Sequence, residues 1–310
     1  IAGNTIVYKN SEKDPLFGQL LADLIDRSDL PSGVFNVLHG DGQVGRWILE
    51  SDIDLISFTG STKTGQEVAK LAAKKFIPYV AELGGSDSCI VCEDADINSI
   101  IDTIYHNRFD NAGQSCNAIK RLIVHKLRFE EVVEKLRVIL DRTKIGPALD
   151  PEVEIGPLVS RRQLDLIESQ VQEAIDQGAQ IASGGRRPEN LQGGYYLPTL
   201  LTDVRTDMRV WREETFGPVL PIVSFSTEQE AIALANDTQY GLGAWVMTED
   251  HDRFRRISRR LQSGMVTENN VNYLSSQNPF GGYKKSGMGR THGEFGFHEV
   301  TQVKLVSSRQ

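Results

Sequence analysis

A cysteine stands among small polar residues in the stretch FDNAGQSCNAIKR, which covers residues 109–121. Structural cysteines usually pack among aliphatic side chains, whereas polar and glycine neighbours leave backbone N–H groups free to face the sulfur. Cys116 is therefore a candidate nucleophile. The same residues also fit a cysteine in an ordinary polar turn, so other parts of the chain must discriminate between these two interpretations.

The other two cysteines, Cys89 and Cys92, form a C-x-x-C motif that is compatible with redox chemistry or with half of a zinc site. They lie in the run SCIVC, which is typical of a strand, and residues three apart on a strand point to opposite faces. We therefore predict buried packing for both thiols. The six histidines are scattered without the spacing of a zinc site, so no metal site is predicted.

Two stretches with glycines each join a predicted strand to a predicted helix. The first, HGDGQVG, matches G-x-G-x-x-G from Gly40 to Gly45, a pattern in which a pyrophosphate approaches the backbone at a helix N-terminus. The acid expected about 20 residues later is missing, because that position falls near Gly60. The second, FTGSTKTG at residues 58–65, lacks the Lys and Ser or Thr of a nucleotide-triphosphate loop. Either stretch alone fits a tight structural turn; the two in tandem predict a cofactor site.

Strands and helices alternate through the first third of the chain. Strands are predicted at residues 5–8, 34–38, 54–58 and 77–82. Helices are predicted between them, the first with Ser11 as its N-cap. Such alternation predicts an α/β fold with a parallel sheet covered on both faces.

Charge and composition exclude several partners. A net charge of −8 and a pI near 5.4 provide no basic field for a phosphate backbone, so nucleic acid is not expected. No apolar run reaches the length that spans a bilayer, and the first residues lack the features of a signal peptide. Three cysteines fit a reducing compartment. We expect a cytoplasmic protein without a membrane partner.

Eight short stretches follow one another along the chain: AGNTIV at 2–7, KNSE at 9–12, FTGST at 58–62, ELGG at 82–85, NAGQSC at 111–116, IGP at 155–157, EETFGP at 213–218 and PFGG at 279–282. In this set and order the chain resembles the NAD(P)-dependent aldehyde dehydrogenase family. The resemblance implies a partial Rossmann-type parallel-sheet domain plus the α/β catalytic domain of that family. It is far more specific than a lone glycine motif.

The resemblance implies a catalytic role for Cys116 and for Glu82. In that family the cysteine attacks the aldehyde, and the thiohemiacetal passes a hydride to the nicotinamide and leaves a thioester. Glu82 matches the general base that activates the cysteine or the hydrolytic water, a role typically contributing roughly 10²–10⁴-fold. On the residues alone, a salt-bridged carboxylate at a strand end would be favoured for Glu82; the adjacent LGG reverses that preference.

The resemblance also implies a set of cofactor residues, which are Lys9, Glu12, Gly40, Gly45, Phe58, Gly60, Ser61, Glu214 and Phe216. Among these, Lys9 and Glu12 match residues that hold the adenosine ribose, Ser61 matches the family's pyrophosphate contact, and Glu214 and Phe216 match residues near the nicotinamide ribose. A carboxylate accepting from the 2′-hydroxyl would repel a 2′-phosphate, so NAD is expected rather than NADP. Asn269 matches a structural asparagine near the nucleophile loop.

The chain lacks roughly the first third of the family's usual length, including the asparagine that supplies one oxyanion-hole donor, whose loss typically costs about 10²–10³ in rate. We expect the C-terminal part of a dinucleotide-binding domain at 1–85, a catalytic domain at 86–290 and a tail at 291–310. By resemblance, the tail contributes a strand at 301–306 to a homo-oligomer, a dimer or a tetramer. The cofactor sheet is expected to have an exposed edge.

The substrate is less well defined. Ser86 stands where many family members carry lysine, and ELGGSD looks like the variant of succinate-semialdehyde-type members. No motif identifies an arginine that would bind a substrate carboxylate. Residues 270–278 should line the substrate mouth, and their sequence is also compatible with an aromatic aldehyde as substrate.

Two alternatives to an aldehyde dehydrogenase remain. One is a truncated, non-catalytic protein that binds nucleotide or a partner chain; the other is a cysteine hydrolase without nicotinamide, which should have a histidine base in a recognisable motif.

Overall fold

A computed structural model describes residues 2–309. In chain order its strands are β1 (Ile6–Tyr8), β2 (Phe35–Val37), β3 (Ile56–Thr59), β4 (Tyr79–Glu82), β5 (Asp87–Val91), β6 (Ile119–His125), β7 (Gln180–Ser183), β8 (Thr199–Thr202), β9 (Val219–Phe225), β10 (Gly243–Met247), β11 (Met265–Glu268) and β12 (Gly287–Met288). Its α-helices are α1 (Pro15–Asp26), α2 (Gly42–Glu50), α3 (Thr62–Lys75), α4 (Ile97–Phe109), α5 (Phe129–Arg142), α6 (Arg161–Asp176), α7 (Arg209–Arg212), α8 (Glu228–Asn236), α9 (His251–Ser258) and α10 (Gly293–Glu299). The α/β fold predicted from the sequence is confirmed.

The chain forms two compact units. The first unit contains the chain up to Glu82, the short segment Ser276–Phe280 and the chain from Met288 onward. The second unit contains Leu83–Ser275 and Gly281–Gly287. None of the described helices is both long and apolar enough to cross a membrane.

In the first unit the pairs β1–β2 and β3–β4 are each parallel but belong to separate sheets. β1 pairs with β2, whereas β3 pairs with β4 in a three-stranded sheet of order β12-β4-β3. The pairing places Thr59 opposite Glu82, so the loop after β3 and the end of β4 share one edge. The predicted strand and helix order is correct, but a single parallel sheet covered on both faces is not formed in this unit.

Helix α1 differs from the expectation at its start and on its apolar face. Its N-cap is Asp14, whose side chain accepts a hydrogen bond from the Phe17 amide at 3.3 Å, and not Ser11. Pro15 explains the shift, because proline lacks the N–H that the first helical position leaves unpaired. Its apolar residues Leu16 and Leu20 are 80% and 55% exposed. A two-stranded sheet offers too little surface to bury such a stripe.

The second unit is built on a seven-stranded sheet of order β11-β10-β5-β6-β9-β8-β7. Its pairings are parallel except for the antiparallel edge strand β7. Helices α4, α5, α6 and α8 contribute buried side chains to one large core around this sheet. Central strands β5 and β6 are buried along their whole length, as expected of parallel strands covered on both faces. Cys89 and Cys92 lie in this core, which confirms their predicted packing.

Residues 301–309 have no regular secondary structure, so the strand predicted at 301–306 is not formed in the single chain. A strand requires a neighbour for its backbone hydrogen bonds. The side chains of Val303 and Leu305 are exposed. Pairing of this segment with a second subunit stays a prediction.

The end of helix α3 leads to a test of the fold. Its C-cap residue, Phe76, has a left-handed backbone with φ 57°, and its side chain is 97% exposed. Because the ring contributes no burial and a Cβ is strained in this conformation, we expect Phe76→Gly to stabilise the chain by about 0.5–1 kcal/mol. Urea unfolding measures the change. Phe76→Ala keeps the Cβ and serves as the matched control; equal stability of the two variants would contradict the interpretation.

Candidate active site

Glu82 ends strand β4 in the first unit. The Gly60 amide donates to its backbone oxygen at 3.0 Å, which ties the β3 loop to this residue. Its side chain is 7% exposed, and within residues 2–309 neither carboxylate oxygen has a hydrogen-bond partner. Burial raises the pKa of Glu82 to about 7, against the opposing charge of Arg290. A carboxyl group that titrates near neutral pH is suited to accept and return a proton.

The loop between β3 and α3 offers an anion site. Ser61 caps α3, and its hydroxyl accepts a hydrogen bond from the Thr64 amide at 3.3 Å. The N-terminus of this helix presents backbone N–H groups with partial positive charge. The Phe58 side chain covers Gly60, where an added Cβ would lie 2.7 Å from the ring. Phe58, Gly60 and Ser61 are therefore contiguous at the N-terminus of α3, and the phosphate contact of this loop stays a prediction.

The second glycine stretch lies beside Lys9. A Cβ on Gly45 would lie 3.7 Å from Lys9 Cδ, so this glycine is in contact with the lysine stem. Lys9 Nζ is 3.9 Å from a Glu12 carboxylate oxygen. Gly40 has φ 148°, and Asp41 after it caps α2. Two helix N-termini and an ion pair with exposed oxygens are groups that can hold the phosphates and hydroxyls of a dinucleotide.

In the second unit, Cys116 follows a left-handed turn. Asn111, Ala112 and Gly113 have φ of 53°, 55° and 69°, which is costly for the two residues that carry a Cβ. The Asn111 and Gln114 side chains hold the turn, each donating to the other residue's backbone oxygen at 3.1 and 3.0 Å. Cys116 itself is half-buried.

The three thiols differ sharply in their surroundings. Burial raises the pKa of Cys92 to about 12 and moves the pKa of Cys89 upward as well. Both therefore remain protonated and inert near neutral pH. Cys116 is the partly accessible thiol, at a strained turn, which favours the nucleophile over the ordinary turn.

Gly84 and Gly85, two and three residues after Glu82, lie close to other segments of the second unit. A Cβ on Gly84 would lie 2.1 Å from a Glu214 carboxylate oxygen, and one on Gly85 would lie 2.7 Å from the Cys116 backbone oxygen. The Gly85 amide donates to Glu214 at 3.1 Å. The backbone of this segment thus touches both the nucleophile turn and the expected ribose contact.

Three buried cations hold these loops, and the sequence analysis missed them. Arg108 donates to the backbone oxygens of Thr215, Gly217 and Val219. Lys120 donates to Ser115 and Cys116, and Arg121 donates to Ser86, Leu234 and Ala235. All three side chains are at most 1% exposed. The signal available in the sequence was the pair Lys-Arg inside the otherwise apolar strand IKRLIVH, directly after the cysteine.

Glu214 and Phe216 lie on the loop that Arg108 holds. Glu214 Oε1 is 3.4 Å from Lys120 Nζ, and the Phe216 ring centroid is 6.0 Å from the same nitrogen. Through Lys120 the structure brings both expected nicotinamide-ribose residues to the Cys116 turn. Among the described residues, no group of three or more His, Cys, Asp or Glu could hold a metal ion.

Asn269 follows strand β11 and has φ 46°. Its side chain accepts from the Thr248 amide at 2.9 Å and donates to the Thr248 oxygen at 2.8 Å. These bonds lie at the carboxyl ends of β10 and β11, whereas Cys116 precedes the amino end of the parallel strand β6. Tyr273 lies four residues after Asn269. Its hydroxyl accepts a hydrogen bond from the Asn117 side chain at 2.7 Å, next to Cys116 in the chain.

Comparison with known proteins shows the family to which the chain belongs. The sequence model of the aldehyde dehydrogenase family matches residues 1–306, so the chain belongs to the aldehyde dehydrogenase family. It is 42% identical over 309 residues to aminoaldehyde dehydrogenase 1, peroxisomal, of Pisum sativum, covering 99% of this chain and 61% of that protein. It is 40% identical over 310 residues to betaine aldehyde dehydrogenase of Bacillus subtilis (strain 168), covering 98% of this chain and 63% of that protein.

A solved structure shares the fold. The Mycobacterium tuberculosis aldehyde dehydrogenase complexed with NAD+ superposes with a TM-score of 0.94 at 37% identity, covering 96% of this chain and 62% of that one. The aldehyde dehydrogenase fold expected from the sequence is thereby confirmed. The chain spans about three-fifths of the length of the relatives that it matches.

The role of Arg108 can be tested by stability. Arg108→Met would take a donor away from the buried oxygens of Thr215, Gly217 and Val219, so we expect the free energy of unfolding to fall by about 1–3 kcal/mol. Urea unfolding provides the measurement. Arg255→Met makes the same chemical change at an exposed site and should alter stability little. A loss below about 1 kcal/mol in Arg108→Met would contradict this role.

Proposed function

We propose that the protein oxidises an aldehyde to a carboxylic acid with NAD, with Cys116 as nucleophile and Glu82 as general base. The observation that carries the proposal is the contrast among the thiols. Cys89 and Cys92 are buried in the core, while Cys116 is half-buried on a strained turn whose backbone oxygens are held by a buried lysine. A carboxyl group with a pKa near 7 at the end of β4 adds the base.

The chemistry of the proposal follows from these two side chains. The Cys116 thiolate would add to the aldehyde carbon, and the carbonyl oxygen would take up the negative charge as a thiohemiacetal. NAD, when bound, supplies the hydride acceptor that this oxidation needs. The resulting acyl group stays on the sulfur until water attacks it. Glu82 in its carboxylate form would accept the proton of that water, which releases the acid and frees the thiol.

Residues of each unit, taken separately, are assigned to the cofactor. Ser61 and the N-terminus of α3 would hold the pyrophosphate, because backbone N–H groups there can donate to phosphate oxygens. Lys9 and Glu12 would hold the adenosine ribose, with Gly45 leaving room beside the lysine stem. Glu214 and Phe216 of the second unit would contact the nicotinamide ribose. The named structural neighbour is a complex with NAD+, which supports NAD over NADP.

The substrate class is the open part of the proposal. The relatives are named for aminoaldehydes and betaine aldehyde, which are cations, whereas the ELGGSD variant led us to expect succinate semialdehyde, an anion. We keep succinate semialdehyde as the expected substrate of this chain. A panel of succinate semialdehyde, betaine aldehyde, 4-aminobutyraldehyde and benzaldehyde separates anionic, cationic and aromatic preferences by kcat/KM.

The proposal includes the organisation of the protein. We propose that residues 1–85 belong to the dinucleotide-binding domain, 86–290 to the catalytic domain and 291–310 to a tail that pairs subunits of a dimer or tetramer. We also propose a cytoplasmic location. Light scattering during size-exclusion chromatography measures the assembly, and deletion of residues 301–306 should lower its mass if the tail pairs subunits.

The catalytic assignment makes a prediction about rate and pH. Cys116→Ala should abolish NADH formation, and Glu82→Gln should lower kcat by roughly 10²–10⁴-fold because water loses its base. The base must be deprotonated, and the pKa of Glu82 is raised to about 7. Turnover of the parent protein should therefore fall as the pH drops through about 7, and this dependence should vanish in Glu82→Gln. Absorbance at the NADH band provides the measurement.

The same assay discriminates among the alternatives. A non-catalytic nucleotide-binding protein would bind NAD but form no NADH with any aldehyde. Both this chain and the longest natural chain that contains it would then be inactive. A cysteine hydrolase would cleave a thioester or ester at the same rate with and without NAD. Either result would overturn the proposed oxidation.

Cofactor choice can be tested at Glu12. Its carboxylate would repel a 2′-phosphate, so Glu12→Gln should improve binding of NADP relative to NAD. The interaction of like charges at a half-exposed site is modest, and we expect the ratio of the two dissociation constants to change roughly tenfold. Isothermal titration with each cofactor provides the values. Glu50→Gln, which changes an exposed carboxylate on α2, is the control. An unchanged ratio of dissociation constants in Glu12→Gln would show that Glu12 does not contact the ribose.

A further inference from the structure

Lys120 is a fully buried ammonium group four residues after Cys116. Its Nζ donates to the backbone oxygens of Ser115 at 2.8 Å and Cys116 at 2.7 Å, and it lies 3.4 Å from Glu214 Oε1. Two backbone oxygens therefore accept from Lys120, and a carboxylate oxygen lies close to the same nitrogen. Burial lowers the pKa of Lys120, whereas the negative charges of Glu214 and Asp87 oppose this shift and favour the ammonium form.

Charges of both signs face Lys120 from several elements. Glu214 and Asp87 are the carboxylates, and Arg108 is the neighbouring cation. Burial raises the pKa of Asp87 to about 7, so Asp87 carries only part of a charge near neutral pH. Glu214, which lies 3.4 Å from the ammonium, is the nearer counter-charge.

We propose that Lys120 is a positioning residue for Cys116: its ammonium holds the nucleophile turn by two backbone oxygens and favours the thiolate, with Glu214 moderating the effect. The inference deepens the proposed function and rests on the nucleophilic role of Cys116. A cation beside a cysteine stabilises the thiolate, and a low local dielectric strengthens that attraction. The electrostatic attraction between Lys120 and Cys116 is consistent with this role.

A purely structural lysine is the competing explanation. It would hold the two oxygens and keep the turn in place without changing the ionisation of the thiol. The two roles differ in one observable, the pH at which Cys116 becomes reactive. A structural role changes the maximum rate of thiol modification, whereas an electrostatic role moves the midpoint of its pH dependence.

The test is the rate of alkylation by iodoacetamide as a function of pH, without NAD or aldehyde. Cys89 and Cys92 are buried, so Cys116 should be the reacting thiol, and Cys116→Ala should remove the fast phase. In Lys120→Met, which replaces the ammonium by an uncharged side chain of similar length, the midpoint should rise by about one pH unit, or roughly tenfold in rate at pH 7. Lys126→Met, at the exposed end of the same strand segment, is the control and should behave like the parent protein.

A second variant should shift the pH midpoint of alkylation in the opposite direction. Glu214→Gln removes the counter-charge of Lys120, so the midpoint should fall below that of the parent protein. An unchanged midpoint in a folded Lys120→Met, checked by circular dichroism, would overturn the inference. If Lys120→Met does not fold, the alkylation midpoint of Glu214→Gln provides the test. An unchanged or higher midpoint in Glu214→Gln would likewise reject the inference.

The outcome is independent of turnover. A shifted midpoint, with no NADH formed by the longest natural chain that contains this sequence, would support the role of Lys120 and refute the proposed oxidation. Turnover that depends on Cys116, together with unshifted midpoints, would support the oxidation and refute the role of Lys120. Fast alkylation that persists in Cys116→Ala would refute the inference, because the reactive thiol would then be another residue.

Discussion

The second unit depends on the burial of three cations whose hydrogen bonds go to backbone oxygens. Removing an ammonium or guanidinium from water costs several kcal/mol unless its donors are satisfied. Donors of Arg108, Lys120 and Arg121 reach backbone oxygens of the loop before β9, the Cys116 turn, the segment before β5 and helix α8. Among the described residues, Arg108 Nη1 is left without a hydrogen-bond partner. Those loops cannot separate without leaving a buried charge unpaired. The arrangement therefore fixes the Cys116 turn, the segment after Glu82 and the loop of Glu214 in one geometry.

Close backbone packing at glycines also holds these loops together. Gly84 and Gly85 touch Glu214 and the Cys116 oxygen, and a Cβ on Gly113 would lie 2.4 Å from the Gly217 oxygen. A side chain at any of these glycines would push two loops apart and lengthen the hydrogen bonds to the cations. The glycines of ELGG and NAGQSC therefore serve contact between loops, which explains why motifs far apart in sequence occur together in one chain.

The sequence predicted local features well and long-range ones poorly. Strand and helix order, the buried packing of Cys89 and Cys92 and the α/β class all follow from periodicity within short windows. The buried cations did not follow, because Arg121 finds its acceptors at Ser86, Leu234 and Ala235, on segments distant in the chain. The division of the first unit into separate sheets was missed for a similar reason, since local patterns do not state which strands pair.

The structure also separates the groups that support the nucleophile from those that would meet the substrate. Behind Cys116 lies Lys120, which contacts only backbone oxygens of the turn, so its contacts do not depend on the side chains there. After Cys116, the Asn117 side chain accepts from Ser115 at 2.6 Å and donates to Tyr273 at 2.7 Å. Tyr273 belongs to the segment expected to line the substrate mouth. Under the proposed function, changes in that segment would alter which aldehyde is accepted while the hydrogen bonds that hold the Cys116 turn stay the same. Motifs shared across a family would for this reason identify its chemistry more readily than its substrate.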